Sequence, residues 1–513
     1  MLKTAAVFSD NMVLQRNKKI RVFGSADDGS RITVSLLGKK SENICKNGKW
    51  MVYLPEYEAT EDAVMEITDG KDTITFKNIA IGEVWLAGGQ SNMELELQNA
   101  KGGAEALKAN PKEDTVLQKI RFYYTPKKAY ECEELWEEEA RAHWEVFGET
   151  DAAKWSAVGF FFAKKLAAKL GVTVGVIGCN WGGTSASVWM SREALLEHED
   201  TRGYVEDYEN SEAACKPREQ QIEDYKAYER YHADWEAKAA GIYEKEPMAA
   251  FDKVQEMIGP CQYPGPMNCA NFTRPYGLYE VMLKKLAPYT LGGFIFYQGE
   301  TDEGKPREYY TLFSRLIRQW REDFMDEELP FHFVQLTMHR YQHDPDTKSW
   351  CILRENQMKV YRTVKNTGIA VIIDCGEFHE IHPKDKKSVG ERLALQALCH
   401  TYHMIEEKNA FGPIYRDYLY ADGGMELFFD YAEEGFTVKG ELSGFEIAGE
   451  DQVFYPAKAH TLSENGKRNV IFVSSEHVKE PIMARYLWRN YAEVPLFGQN
   501  GLPAAPFRTH KGR

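Results

Sequence analysis

The stretch Ile81-Gly82-Glu83-Val84-Trp85-Leu86-Ala87-Gly88-Gly89-Gln90-Ser91-Asn92-Met93-Glu94 decides the fold. Its first half is an apolar run that reads as a strand, and the two glycines at the end permit a tight turn. A serine entered this way stands at a strand tip with its hydroxyl exposed and its backbone N–H turned toward the same space. Those are the requirements of an activated nucleophile and of a first oxyanion donor. Met93 stands where the GxSxG elbow has glycine, so this is a different turn. Taken alone, a serine after glycine at a strand end is more often a turn or cap residue, and the rest of the chain has to decide.

On the amino-terminal side, short alternating runs separated by Gly, Asp and Asn turns indicate an antiparallel β-domain over residues 1–80. Examples are IRVFG at 20–24, RITVSLLG at 31–38 and KWMVYLP at 49–55. On the carboxyl side, strands alternate with helical periods. WSAVGFFFAKKLAAKLG at 155–171 is followed by the strand VTVGVIGC, then by GGFIF, LPFHFVQLT at 329–337, a helix around LRENQMKVYRTV, the strand GIAVIIDCG at 368–376 and the helix SVGERLALQALCHTYH. This alternation predicts an α/β sheet over 81–410 with its ligand site at the carboxyl ends of the strands. A charged, almost glycine-free segment at about 196–250 reads as a helical insertion, either a solvated hairpin or an active-site lid. Short strands return over 411–513 as a second β-domain.

The composition agrees with several compact units. At roughly 150 residues per domain, 513 residues allow about three, and no apolar run approaches a membrane span. A formal charge of −15 argues against a nucleic-acid ligand. Aromatic residues make up 13% of the chain; they serve in cores and interfaces and also stack on sugar faces. Nine cysteines without a CxxC pair read as free thiols in a reducing compartment. With no apolar leader in MLKTAAVFSDNMVLQ, the expectation is a cytoplasmic protein.

Three further clusters each follow a strand. Asn180-Trp181-Gly182-Gly183-Thr184-Ser185 offers glycine N–H groups for a second oxyanion donor, and it lacks the lysine of a phosphate loop. Tyr297-Gln298-Gly299-Glu300-Thr301-Asp302-Glu303 offers the Gln298 amide as a donor. Glu300 could orient it or a substrate hydroxyl, or pair with Asp302 or Glu303 as in a glycosidase. Asp374-Cys375-Gly376-Glu377-Phe378-His379-Glu380-Ile381-His382-Pro383 supplies imidazole as a general base with acids to hold its tautomer. Two histidines among carboxylates also suit a metal, but the spacing of a metal helix and a third distant ligand are missing. Together the clusters supply a nucleophile, oxyanion donors and a base, the parts of one acyl-transfer site.

These motifs resemble the sialate O-acetylesterase family of SGNH (GDSL-like) hydrolases, which also contains acetylxylan and other carbohydrate acetylesterases. The carriers are FSDNMVLQR at 8–16, IGEVWLAGGQSNME at 81–94, NWGGTSASVW at 180–189, FYQGETDE at 296–303 and IHPKDKKSVGERLAL at 381–395, with GFEIAG at 444–449 and GLPAAPFRT at 501–509. The resemblance implies a flavodoxin-like parallel sheet with helices on both faces, flanked by the two β-domains. It implies Ser91 as nucleophile, His382 as base, and the Ser91 N–H, Gly183 N–H and Gln298 side chain as the oxyanion hole. The acid that such hydrolases place three residues before the histidine is replaced by His379, so Asp374 and Glu380 are the candidates to orient His382, with a bare Ser–His dyad as the alternative. Glu300, Trp181, Arg274 and Tyr276 are expected at the sugar. The implied substrate is an O-acetylated sugar or oligosaccharide, of sialate, mannan or xylan type, with no metal, organic cofactor, nucleic acid or membrane partner; a homo-oligomer is compatible. The rivals are a glycoside hydrolase using Glu300 and a non-catalytic carbohydrate-binding protein.

Overall fold

A computed structural model describes residues 1–246, 249–341, 345–463 and 466–510. Its organising element is the long strand β1 (Thr73–Gly89), whose two halves differ as the sequence does. The TITFKN half alternates outward and inward residues, while everything from Ile79 onward is buried. Its outer half pairs antiparallel with Thr60–Thr68 of the amino-terminal strands, and its inner half becomes the middle of a parallel sheet. One strand therefore runs through residue 80 and belongs to both layers.

The other strands of that sheet are β2 (Ile120–Tyr124), β3 (Glu145–Val146), β4 (Val174–Asn180), β5 (Gly293–Tyr297), β6 (Phe331–Gln335) and β7 (Thr367–Val371), in the order β3-β2-β4-β1-β5-β6-β7. All but the edge strand β3 run parallel. This order differs from the flavodoxin order 2-1-3-4-5: two parallel strands lie on one side of β1, because β4 inserts between β1 and β2. The coarse expectation holds: an α/β unit with a central mixed sheet and antiparallel sheets at both ends of the chain.

Helices cover both faces. The short α1 (Ser91–Glu94) follows β1, and the apolar α2 (Ala157–Leu170) lies on the face where Trp85 meets Phe162 at 5.1 Å. The insertion folds as α3 (Glu199–Glu209), α4 (Arg218–Tyr243) and α5 (Phe251–Ile258). The amphipathic α6 (Tyr309–Asp323) brings Trp320 against Phe294 and Phe296 on the opposite face. It is followed by α7 (Ser349–Thr363) and by α8 (Lys386–Gln396), which packs on α2. Beyond residue 411 two four-stranded antiparallel sheets form. Arg489 and Asn490 of this unit accept hydrogen bonds from Arg354 of α7, and Arg508 pairs with Glu355.

What positions the site is register. Gly89 is opposite Asn180 on one side and Tyr297 on the other, so three loops leave the sheet at one level. Gly89 has φ +134°, and a Cβ there would lie 2.1 Å from the Tyr297 carbonyl oxygen. Gly89→Ala is expected to cost about 1–3 kcal/mol through strain, seen as a lower denaturant midpoint, together with loss of activity because the turn it distorts leads directly into Ser91, the expected nucleophile.

Candidate active site

Ser91 is the first residue of α1, set just past the close approach of β1 to β5. Its Oγ lies 2.8 Å from His382 Nε2, although the two residues are 291 positions apart. The histidine sits on the loop between β7 and α8, half exposed. Partial burial lowers its pKa below the usual 6.5, with Lys386 acting in the same direction and Glu380 and Glu94 against it. The ring is therefore neutral near pH 7 and able to take a proton from Ser91.

Beside this pair, the loop after β4 comes within contact of Ser91: a Cβ on Gly182 would lie 3.2 Å from that of Ser91. Gly182 N–H donates to Glu94 Oε2 at 2.6 Å, and the other oxygen of that carboxylate pairs with Lys127. Gly183 adopts φ +73°, and among the described residues neither its N–H nor that of Ser91 donates to a protein acceptor. Both remain available for an oxyanion. Gln298 does not complete the set as expected. Its Nε2 donates to Asp302 Oδ2 (2.5 Å) and to the Thr184 carbonyl (3.2 Å), and its Oε1 accepts from Tyr309 (2.9 Å), so the buried amide is spent on holding the loop.

A serine–histidine pair with a glycine loop at one sheet edge can carry out acyl transfer. Residues 248–399 match the family model described as carbohydrate esterase, sialic acid-specific acetylesterase. The chain resembles the sialate O-acetylesterases along its whole length. It is 26% identical to that of Mus musculus, covering 98% of this chain and 93% of the relative. With that of Homo sapiens it is 25% identical, covering 98% and 91%. A carbohydrate acetylesterase from Xanthomonas citri superposes with a TM-score of 0.76 at 28% identity, covering 99% of this chain and all of that one.

The acid expected to orient His382 takes an unexpected form. Asp374 forms a two-pronged ion pair with Arg392 (2.5 and 2.8 Å) and is not hydrogen-bonded to the histidine. Glu380 accepts the His382 backbone N–H at 2.8 Å, leaving the same oxygen 3.9 Å from Nδ1. It contributes a favourable field for imidazolium without a direct hydrogen bond. His379 turns away, its Nδ1 2.9 Å from the Arg340 carbonyl.

The sugar-side expectations separate in the same way. Arg274 is buried and pairs with Glu280 at 3.0 Å, and Tyr276 is buried and donates to Glu209 on α3 at 3.0 Å. Tyr276 ties its segment to α3, while Arg274 braces that segment from within through Glu280 and the Cys269 carbonyl, so the polar ends of both are engaged away from Ser91. Trp181 is partly exposed and stacks on Phe272 at 4.9 Å. Glu300 is buried, accepts from Asn92 at 2.6 Å, and is walled off from any cleft. Asp302 is likewise enclosed, receiving Ser185, Ala186 and Gln298. A glycosidase pair built on Glu300 has no access to a sugar. No group of three His, Cys, Asp or Glu side chains arranged for a metal occurs among the described residues.

Four residues absent from the expected set matter here. Glu94 shapes the glycine loop. Asn92 and Lys386 form a buried link with Glu300. Tyr263 is 59% exposed and sits on the segment after α5, its hydroxyl 3.5 Å from where a Gly183 Cβ would be. Asn92 and Lys386 lie inside the quoted motifs, but a lysine in KDKK reads as a solvated charge until the fold buries it. Nothing local marks the tyrosine in QYPGP.

Burial raises Glu300 from the usual 4.5 to about 7. Below 4.5 folded and unfolded chains both hold this proton; between 4.5 and about 7 only the folded chain does, so stability falls as pH rises through this window. At about 1.4 kcal/mol per pH unit, up to roughly 3 kcal/mol is at stake. Chemical denaturation from pH 4.5 to 7.5 is expected to show a flatter stability profile for Glu300→Gln than for the wild type.

Proposed function

We propose that this protein removes acetyl groups from O-acetylated sugars through an acetyl-Ser91 intermediate. The 2.8 Å contact between Ser91 Oγ and His382 Nε2, beside a glycine loop whose Gly183 N–H donates to no protein acceptor among the described residues, carries the reading. The carbohydrate acetylesterase relatives support the substrate class. The protein is an ester hydrolase.

Ser91 Oγ attacks the acetyl carbonyl carbon as its proton passes to His382 Nε2. The oxygen that becomes negative is held by the two backbone N–H groups, where one donor is typically worth about 100- to 1000-fold in rate. Collapse breaks the ester bond, and the sugar oxygen leaves with the proton from His382. Water then attacks the acetyl-enzyme with His382 again as base, releasing acetate and restoring Ser91. Glu380 near Nδ1 favours the imidazolium formed in each half. This is a Ser–His dyad with a neighbouring carboxylate, not a hydrogen-bonded triad.

Nucleophile, glycine and base follow in the chain order of SGNH-type hydrolases, which supports an SGNH-type catalytic unit over 81–410 between β-units at 1–80 and 411–513. Sialate, mannan or xylan acetates all fit the chemistry. The free thiols fit a cytoplasmic setting. Tyr263 and Trp181, beside the glycine loop, are our candidates for the sugar's contact surface.

Ser91→Ala is expected to abolish acetate release from O-acetylated glycans and from 4-nitrophenyl acetate, followed by NMR and absorbance. Full activity of this variant on either ester would remove the assignment. Tyr263→Ala is expected to raise KM about tenfold on the preferred glycan acetate while changing kcat/KM on 4-nitrophenyl acetate less than twofold, since the small ester has no sugar to contact.

A further inference from the structure

Lys386 is fully buried and stands at the first position of α8, where the helix dipole disfavours a cation. Among the described residues no carboxylate lies within ion-pair distance of its ammonium; the group donates instead to Asn92 Oδ1 at 2.7 Å and to the Pro383 carbonyl at 2.5 Å. Burial lowers it from 10.5 to about 8, partly offset by Glu300. A buried charge in so unfavourable a place needs a reason other than stability, since replacing it by an apolar group of similar size is often neutral for a fold.

The partners supply the reason. Asn92 follows the nucleophile directly and is itself fully buried. Its Nδ2 donates to Glu300 Oε1 at 2.6 Å and to the Ile381 carbonyl at 2.9 Å, while its Oδ1 receives Lys386. Ile381 and Pro383 are the two neighbours of His382. The carbonyl before the histidine is thus gripped by Asn92 and the one after it by Lys386, and Asn92 joins the two grips while riding on the helix that carries Ser91. Glu300, at the exit of β5, anchors the third side. The histidine side chain is 46% exposed and lies on an irregular loop; besides these grips Glu380 holds its backbone N–H, and proton transfer needs placement to within a fraction of an ångström.

We propose that Asn92 and Lys386 are positioning residues for His382, a buried Glu300–Asn92–Lys386 relay clamping the carbonyls on either side of the histidine and so holding its Nε2 on Ser91. Neither side chain touches substrate; both act through the imidazole. The proposal rests on the acetylesterase reading for its assay.

The test is a double-mutant cycle on 4-nitrophenyl acetate with the full chain, using Lys386→Met, His382→Ala and the pair. Folding is monitored by far-UV circular dichroism and the melting temperature. Misplacement of a catalytic group by about 1 Å can cost about 100-fold, so Lys386→Met is expected to lower kcat about 100-fold with KM changed less than threefold. In the His382→Ala background the same substitution should change the residual rate less than threefold, because its effect runs through the histidine. A kcat within threefold of wild type, or an equal loss in both backgrounds, overturns the proposal. If Lys386→Met does not fold, Asn92→Ala releases the grip on Ile381 and carries the same comparison with the same deciding outcomes. A wild-type protein that hydrolyses no acetyl ester counts against the acetylesterase reading, whereas an active wild type with an unaffected variant counts against the clamp alone.

Discussion

Close backbone approach at the end of β1 is the constraint on which the site depends. Gly89 sits level with Asn180 on one neighbour and Tyr297 on the other, with no room for a side chain against the Tyr297 carbonyl. Strands drawn this close deliver their loops to one point. Ser91, the glycine loop and the polar cluster after β5 then meet without long reach, and His382 arrives from the loop between β7 and α8. The site lies where chain connections diverge: β1 runs on to strands on one side, and β5 to β7 continue on the other. That is the crevice where open α/β sheets bind ligands.

Around Ser91 the protein keeps a layer of polar groups, enclosed except for the part-exposed Glu94. Glu94, Asp302 and Gln298 hold the glycine loop, while Asn92, Glu300 and Lys386 join the helix of Ser91 to the histidine loop. Buried groups of this kind are costly unless partnered; here nearly every donor and acceptor is used, and the result is rigidity. Of the acids in the third cluster, Glu300 and Asp302 are turned inward, while Glu377 and Glu380 beside the histidine stay exposed.

Much of this was legible in the residues. The strands around IGEVWLAGG, VTVGVIGC, GGFIF and GIAVIID form where apolar runs end in glycine or polar turns, and the charged segment near 196–250 folds as helices. Ser91, Gly183 and His382 stand in motifs after strands whose residue types suit acyl transfer, and the family resemblance singled them out as candidates. Roles that depend on a partner were not legible. Gln298 and Glu300 had the right chemistry for a ligand, but a side chain at a strand end can point up into the site or down into the core. Asp374 was a reasonable orienting acid until Arg392, one helix away, claimed it. Tyr263 lay in a loop with no pattern to weigh.

By itself, then, the sequence determined the α/β alternation with β-units at both ends, because apolar periodicity and turn chemistry are local properties of the chain, and it offered Ser91, Gly183 and His382 as candidates at strand ends. Only the tertiary structure decided that β4 inserts beside β1, that Glu380 and not Asp374 lies near the imidazole, that Gln298 braces a loop, and that a lysine from a solvent-like run is buried under the histidine. Those are contacts between segments up to several hundred residues apart, and nothing in one segment records which atom of another will reach it first.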